Sequence, residues 1–352
     1  MTHAQRVRAS FGARLAGLAT GAALAGALAA LPAAAQDGAD FYKGKTITIV
    51  VGIEQGTGFD LYGRALARHI GRHIPGNPTV IVSNMPGASG LVAFNWLANV
   101  APKDGTTFAT ASFSVPFEPM FGNEAARFRG PQFGWVGNMD SGVSACVARP
   151  DSGVREWKDV FQKELTVGAA GRAGPISQAP RALIELSGAK LKLIEGYVGT
   201  ASIKLAIERN ELQGICGVSM STVRSQWSDV LQSGLVKILL QIGPKNDPDL
   251  KGVPNAIDFA KNDEERQVYN LIFGPQGLGR SFAAPPGVPA ERLKVLREAF
   301  SATMKDAAFL ADAEKAKLDI SPQGGDEVQA FVEALYASPA PIVARAKTVL
   351  GR

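Results

Sequence analysis

Short apolar runs alternate with amphipathic stretches along most of this chain. Residues 46–51 (Thr-Ile-Thr-Ile-Val-Val) have the length and β-branched content of a buried strand. The loop 54–60 (Glu-Gln-Gly-Thr-Gly-Phe-Asp) follows, and apolar positions then recur at helical spacing to about residue 74. A second run at 79–83 leads into the loop 84–90 (Asn-Met-Pro-Gly-Ala-Ser-Gly). Both loops therefore fall where a strand hands over to a helix. In an open parallel sheet such loops share the carboxyl edge, and the helices behind them turn unpaired N–H groups toward it, which makes a place for an anion. Glycine lets the backbone approach a ligand and take positive φ without a Cβ clash. Asp60 and Asn84 carry short polar side chains suited to capping a helix or tying a loop. The glycines alone fit ordinary strand-to-helix turns equally well, and a G-x-G without a third glycine does not define a nucleotide site.

The alternation continues down the chain. Residues 106–112 predict a third strand, whose end brings Ser112, Phe113 and Ser114 to the same edge. An irregular stretch with Pro116, Pro119, Gly122, Gly130 and Pro131 reads as a surface excursion. Residues 134–140 tighten to a strand and then break, the candidate for a first crossing between domains. Strands are next expected at 143–148, 165–170, 192–197, 214–218 and 236–241, with helices near 177–187, 201–210 and 220–232, which implies a second parallel-rich sheet. Residues 271–284 show little helical period and are expected to return across a hinge. Helices then close the chain, one of them opening at Pro289-Ala290-Glu291.

Four motifs in order carry a family resemblance: the opening Phe41 to Val51, then Gly56-Thr57-Gly58-Phe59-Asp60, then Asn84-Met85-Pro86-Gly87-Ala88-Ser89-Gly90, then Ala101-Pro102-Lys103-Asp104-Gly105-Thr106. They resemble the Y-P-x-K-P-I-x-x-I-V start, the G-G-x-x-D and N-x-P-G-A-G-G loops and the A-P-D-G-Y-T turn of the extracytoplasmic solute receptors of tripartite tricarboxylate transporters, the Bug or TctC family. Thinner matches at Tyr197 to Ala201 and Ala284 to Pro289 extend the resemblance over most of the chain after residue 35. It implies a type 2 periplasmic binding protein with a Venus-flytrap fold of two α/β domains, each a mainly parallel sheet flanked by helices. Residues 36–138 and 281–352 would form a discontinuous first domain, and 139–280 the second. It also implies a small organic carboxylate as ligand, delivery to a membrane transporter of one large and one small subunit, a monomeric receptor and no cofactor. A secreted enzyme using the same cleft, or a sensor feeding a membrane kinase, are the alternatives.

The resemblance places ligand contacts on Gly56, Thr57, Gly58, Phe59, Gly87, Ala88, Ser89, Gly90, Ser112 and Ser114 of the first domain. Arg172, Gly174, Ser177, Thr200 and Ser219 face them, with Arg280 at the return crossing. Several positions depart from the family pattern. Thr57 stands where a second glycine is usual, Pro175 replaces a small hydroxyl residue, and Gly217 lies about where many members carry an aspartate, so amino-acid recognition is not carried over. Gly279-Arg280-Ser281 replaces W-x-G and puts a guanidinium at the expected cleft, where it would contact an anion. Arg172 can pair with a carboxylate through both nitrogens or stand on the surface.

Composition then narrows the chemistry. Arg6, Arg8 and Arg14 precede an Ala- and Leu-rich run, and Ala33-Ala34-Ala35 offers a cleavage site, so residues 1–35 read as a secretory signal peptide and the remainder as periplasmic. That leader holds three of the 37 basic residues and none of the 32 acidic ones, which leaves 34 against 32. No basic block interleaved with aromatics points to nucleic acid. Past the leader there are two histidines, His69 and His73, four apart on the first helix between Arg68 and Arg72; a solvated or capping role is expected, not a metal. No G-x-S-x-G, H-E-x-x-H or complete P-loop occurs, so no catalytic residue is assigned. Cys146 and Cys216 fall on expected strands; they can pair if those strands are neighbours, but two buried thiols are the commoner outcome and the expectation here.

Overall fold

A computed structural model describes residues 41–352, so the expected leader lies outside the described residues. The strands are β1 (Thr46–Val51), β2 (Thr79–Asn84), β3 (Thr107–Thr110), β4 (Gly134–Asn138), β5 (Ser144–Ala148), β6 (Leu165–Gly168), β7 (Leu191–Ile194), β8 (Gly214–Ser219), β9 (Lys237–Ile242), β10 (Ser281–Ala284) and β11 (Gln323–Gly324). They form two sheets, ordered β11-β4-β10-β3-β1-β2 and β7-β6-β8-β5-β9.

Each sheet is mixed. β1 pairs in parallel with β2 and β3, and β6 with β7 and β8, where strand and helix alternate regularly. β10 runs antiparallel between β3 and β4, β11 antiparallel to β4, and β5 antiparallel between β8 and β9. The antiparallel pairs involve strands next to the two crossings, which periodicity cannot orient. At those crossings Met139 N–H donates to the Arg280 carbonyl at 3.1 Å, and Arg280 N–H donates to the Asp140 carbonyl at 3.2 Å, so the two connecting segments lie side by side.

The helices are α1 (Gly58–Ile70), α2 (Leu91–Asn99), α3 (Pro175–Ala182), α4 (Thr200–Glu208), α5 (Met220–Gln226), α6 (Ser228–Gln232), α7 (Asp263–Phe273), α8 (Ala290–Thr303), α9 (Ala307–Lys315), α10 (Gly325–Tyr336) and α11 (Ala340–Val349). α1 buries Tyr62, Ala65, Leu66 and Ile70, the stripe its sequence predicts. The helix expected over 220–232 is two helices broken at Trp227. α7 occupies the start of the segment read as aperiodic. Its signal lay just upstream, where the Asn262 side chain accepts from Glu265 N–H and Asp263, Glu264 and Glu265 crowd the first turn.

His69 and His73 do not hold the solvated or capping role expected: His69 of α1 pairs with Asp312 of α9 at 3.0 Å, and His73, in the 3-10 turn after α1, pairs at 2.8 Å with Asp306, which caps α9. Among the described residues no cluster of three ligating side chains fits a metal.

Cys146 and Cys216 form a disulfide, which corrects the expectation of two free thiols. The physical reason is topological: β5 enters the second sheet antiparallel to β8, and the register makes the two cysteines direct partners. The bond closes a sequence separation of 70 residues. Replacing both cysteines by serine should lower unfolding stability by about 2–4 kcal/mol. Urea unfolding of the two forms checks this, and identical midpoints would show that the bond contributes nothing.

Candidate functional site

The first loop is organised by Asp60, which is 1% exposed. Its carboxylate accepts from the Gly56 N–H, Arg64 Nε and Asn84 Nδ2, each at 2.9 Å. Asn84 Nδ2 also donates to the Ile53 carbonyl at 3.0 Å, and Arg64 Nη2 donates to Asn84 Oδ1 at 3.0 Å. The expected tie is therefore a closed triangle linking the first loop, α1 and the start of the second loop. Burial alone would raise the Asp60 carboxyl, but Arg64, the Gly56 N–H and Asn84 together hold it below its ordinary value. Thr57 turns its hydroxyl to the Glu54 carbonyl at 2.8 Å instead of capping α1, so the N-terminus of that helix has no side-chain cap.

The second loop runs through four successive positive φ values: Gly87 145°, Ala88 48°, Ser89 60° and Gly90 99°. Ala88 and Ser89 each hold a conformation that costs a non-glycine residue roughly 1–3 kcal/mol. The turn is pinned from both sides. Met85 N–H donates to the Val51 carbonyl at 2.8 Å, Gly90 N–H donates to the Gly87 carbonyl at 2.9 Å, and a Cβ on Gly90 would collide with Ala111. Among the described residues the Ala88 and Ser89 N–H groups have no backbone acceptor.

Opposite these loops stand the openings of α3, α4 and α5 on the second sheet. Between the two sets lies a cavity of about 320 Å³. Its wall is mostly apolar, with Ile53, Phe59, Phe113, Ile176, Tyr197 and Val218, and its charged lining residues are Glu54 and Arg280. The lobes meet through direct hydrogen bonds: Ser89 Oγ to the Gly171 carbonyl at 3.3 Å, Ser114 Oγ to the Ala173 carbonyl at 2.5 Å, and Gln226 Nε2 to the Gly56 carbonyl at 3.0 Å. Arg224 of α5 reaches Asp319 at 2.8 Å as well as Asp247 at 2.7 Å. The structure is therefore closed.

Arg280 is 1% exposed and lines the cavity beside Gly58, where a Cβ would stand 3.0 Å from Nη2. Nη2 donates to Ser221 Oγ at 3.0 Å and Thr222 Oγ1 at 3.1 Å, and Nη1 donates to the Gly279 carbonyl at 2.9 Å. The guanidinium lies 4.3 Å from the Phe59 ring centroid and 5.0 Å from that of Tyr62. Nε is buried without a partner among the described residues. Burial raises the neighbouring Asp140 carboxyl, and Arg280 opposes that rise.

Of the residues singled out in the sequence, Thr57, Gly58, Phe59, Gly87, Ala88, Ser89, Ser112, Thr200, Ser219 and Arg280 line this cavity. The others do not. Gly56 and Gly90 shape the loops behind it; Ser114 and Gly174 lie where the lobes meet, a Cβ on Gly174 colliding with Ser89; Ser177 is fully buried in α3. Arg172 is exposed and turned to the chain end, its Nη2 3.5 Å from the Gly351 carbonyl. Sequence reasoning passed over Glu54, Tyr197 and Thr222, which lie one to three residues from chosen positions in the same loops. Tyr197 opened one of the thinner family matches, and Glu54 and Thr222 were signalled only by their place beside the chosen loops.

No protein-family model matches the chain. A curated relative, the UPF0065 protein in the gbd 5'region of Cupriavidus necator, is 26% identical over 318 residues, covering 87% of this chain and 88% of its own. A TctC solute-binding protein from Polaromonas, solved without ligand, is 20% identical with a TM-score of 0.59, covering 88% of this chain and 99% of that one. MatC from Rhodopseudomonas palustris, solved with bound malate, is 17% identical with a TM-score of 0.65, covering 87% and 99%. The fold is that of the two-domain, type 2 solute-binding proteins. The resemblance to the Bug and TctC proteins drawn from the loop motifs extends to the architecture.

Asp60→Ala should cost about 1–3 kcal/mol at neutral pH, because three part-buried donors lose the carboxylate that ties them together. The carboxyl is held below its ordinary value of 3.8, so its contribution is complete above that pH and is lost as pH falls through the lower folded value. Urea unfolding at neutral and acidic pH checks both points; a gap between variant and parent that fails to narrow in acid counts against this role.

Proposed function

We propose that this chain is a periplasmic solute-binding receptor, which closes two lobes over a small organic carboxylate and delivers it to a tripartite tricarboxylate-type transporter of one large and one small membrane subunit. The observation that carries this reading is the cavity between the lobes with the uncapped N-terminus of α1 at its wall, and beside it the N–H groups of Ala88 and Ser89, without a backbone acceptor among the described residues. Such groups favour a negative ligand. MatC, which shares the fold, holds malate. The receptor acts as a monomer without a cofactor, after a leader ending near Ala35 is removed. Residues 36–138 with 281–352 form one lobe and 139–280 the other, with the paired segments at Met139 and Arg280 as the crossing.

Magnitudes explain why the lobes must close. A micromolar ligand needs about 8 kcal/mol, and an exposed helix terminus supplies roughly 0.3–1 kcal/mol, rising to about 2 when partly buried. Excluding water strengthens every remaining hydrogen bond in the cavity.

A thermal-shift panel of aliphatic, hydroxy and aromatic carboxylates tests the reading. A ligand at a hundred times its dissociation constant stabilises the fold by about 2.7 kcal/mol, and unmoved melting curves across the panel would remove the proposal. Gly58→Val isolates closure. A Cβ there would stand 2.7 Å from Thr222 Oγ1 and 3.0 Å from Arg280 Nη2, so the variant should fold yet close poorly. The expected result is at least a tenfold weaker ligand, about 1.4 kcal/mol, by calorimetric titration. Parental affinity would show that the site works open.

A further inference from the structure

We infer that Glu118 and Arg352 position the wall of the cavity: their ion pair, buried where the lobes meet, holds the second-lobe loop 171–174 against Ser89 and Ser114. This deepens the receptor reading and rests on it, since what the pair sets is the enclosure of the ligand. A helix end aims Arg352. After α11 and Leu350, Gly351 takes a φ of 70°, its N–H donates to the Thr348 carbonyl at 3.0 Å, and the Arg352 N–H donates to the Lys347 carbonyl at 2.9 Å. Such a left-handed glycine cap reverses the chain at the end of a helix. Val349 and Leu350 are buried beneath it, so Arg352 is anchored, and its Nη2 meets Glu118 Oε2 at 2.7 Å with the carboxylate fully buried.

Glu118 follows the short helical turn Val115–Phe117, which leads on from Ser112 and Phe113 of the cavity wall. Its Oε1 accepts from Gln178 Nε2 and its Oε2 from Asn123 Nδ2, each at 2.6 Å. Gln178 Nε2 also donates to the Ala173 carbonyl at 3.3 Å. Three successive carbonyls of the loop are thereby held: Gly171 by Ser89 Oγ, Arg172 by Arg352 Nη2 at 3.5 Å, and Ala173 by Ser114 Oγ and Gln178. Gly171, Pro175 and Ile176 of this stretch line the cavity. Among the described residues Arg352 is the only cation paired with Glu118. A buried carboxylate that loses its cation must draw in water or take up a proton, and either disturbs the acceptors that hold Gln178 and Asn123. Removing the cation alone therefore loosens the loop, whereas Glu118→Gln leaves no charge to relieve and keeps one oxygen for Gln178.

Hydrogen exchange of the processed protein without ligand, read by mass spectrometry at neutral pH, tests this. In Arg352→Ala, exchange over 171–178 and over 84–92 should quicken roughly tenfold or more, with the sheet strands at parental rates. Arg352→Lys restores a cation with a different head and should fall between the two; if Arg352→Ala does not fold, this variant carries the comparison, with a smaller rise in the same two loops. Glu118→Gln combined with Arg352→Ala should fold and return both loops to within about threefold of the parent. Unchanged exchange in both loops, a rise spread evenly through the chain, or a double variant as loose as Arg352→Ala overturns the inference. The measurement holds no ligand, so its failure leaves the carboxylate reading to the thermal-shift panel, and flat melting curves across that panel leave the loop result standing.

Discussion

The Asp60 carboxylate takes three donors from three separate segments, the Gly56 backbone, Arg64 in α1 and Asn84 at the end of β2. An aspartate in the first turn of a helix ordinarily sits against that helix's positive end. Here the carboxylate is turned back into the loop, and Asn84 with Arg64 closes the ring around it. Charge-assisted bonds of this kind are about twice as strong as neutral ones. The opening of α1 is thereby left without a side-chain cap at the cavity wall. The second loop gains from the same ring, because fixing Asn84 fixes where the chain enters the run of positive φ at Gly87 to Gly90. Strain at Ala88 and Ser89 persists only because the flanking residues are so firmly placed.

The two faces of the inter-lobe contact differ in chemistry. One apolar cluster runs continuously from Ala109 and Trp135 of the first sheet to Cys146 and Leu240 of the second, and takes in Tyr269 of α7 and Ile342 of α11. Around the cavity the lobes meet instead through hydroxyls, carbonyls and the Arg224–Asp319 pair. A partly exposed ion pair such as Arg224–Asp319 contributes only about 0–1 kcal/mol, whereas apolar burial has no replacement in water. The apolar cluster is therefore the firmer of the two contacts. At the back of the closed cleft Glu118 is fully buried and held by Asn123, Arg352 and Gln178. Burial raises its carboxyl above the usual range against the pull of Arg352 and the two amides.

Local pattern made much of this legible. The strands and helices around both glycine loops follow from apolar runs, turn residues and helical spacing, and the loops named in advance are the ones that wall the cavity. What pattern missed depends on partners distant in sequence. The disulfide needed the register of β5 on β8, and the exposed end of Arg172 needed the position of the chain terminus. The antiparallel course of β10 needed knowledge of where the chain returns, because a strand of four residues reads the same in either direction. Glu54 escaped for a different reason. A single glutamate beside glycines has no periodicity, and only the opposite lobe's approach turns it from a loop residue into part of a wall.

Arg280 shows how a guanidinium at such a crossing couples the lobes. Moving a cation out of water costs several kcal/mol even after relaxation. In the closed form the cost is offset from both sides: Ser221 and Thr222 accept from Nη2, the Gly279 carbonyl accepts from Nη1, and Phe59 and Tyr62 present ring faces. The hydroxyls belong to α5 and the rings to α1, which follow different sheets. Any motion that separates those helices must strip one set of partners from the guanidinium, and water must enter to replace them. Nε is sealed from solvent without a partner in the closed lobes, a cost that the contacts of Nη1 and Nη2 and the two ring faces must also offset.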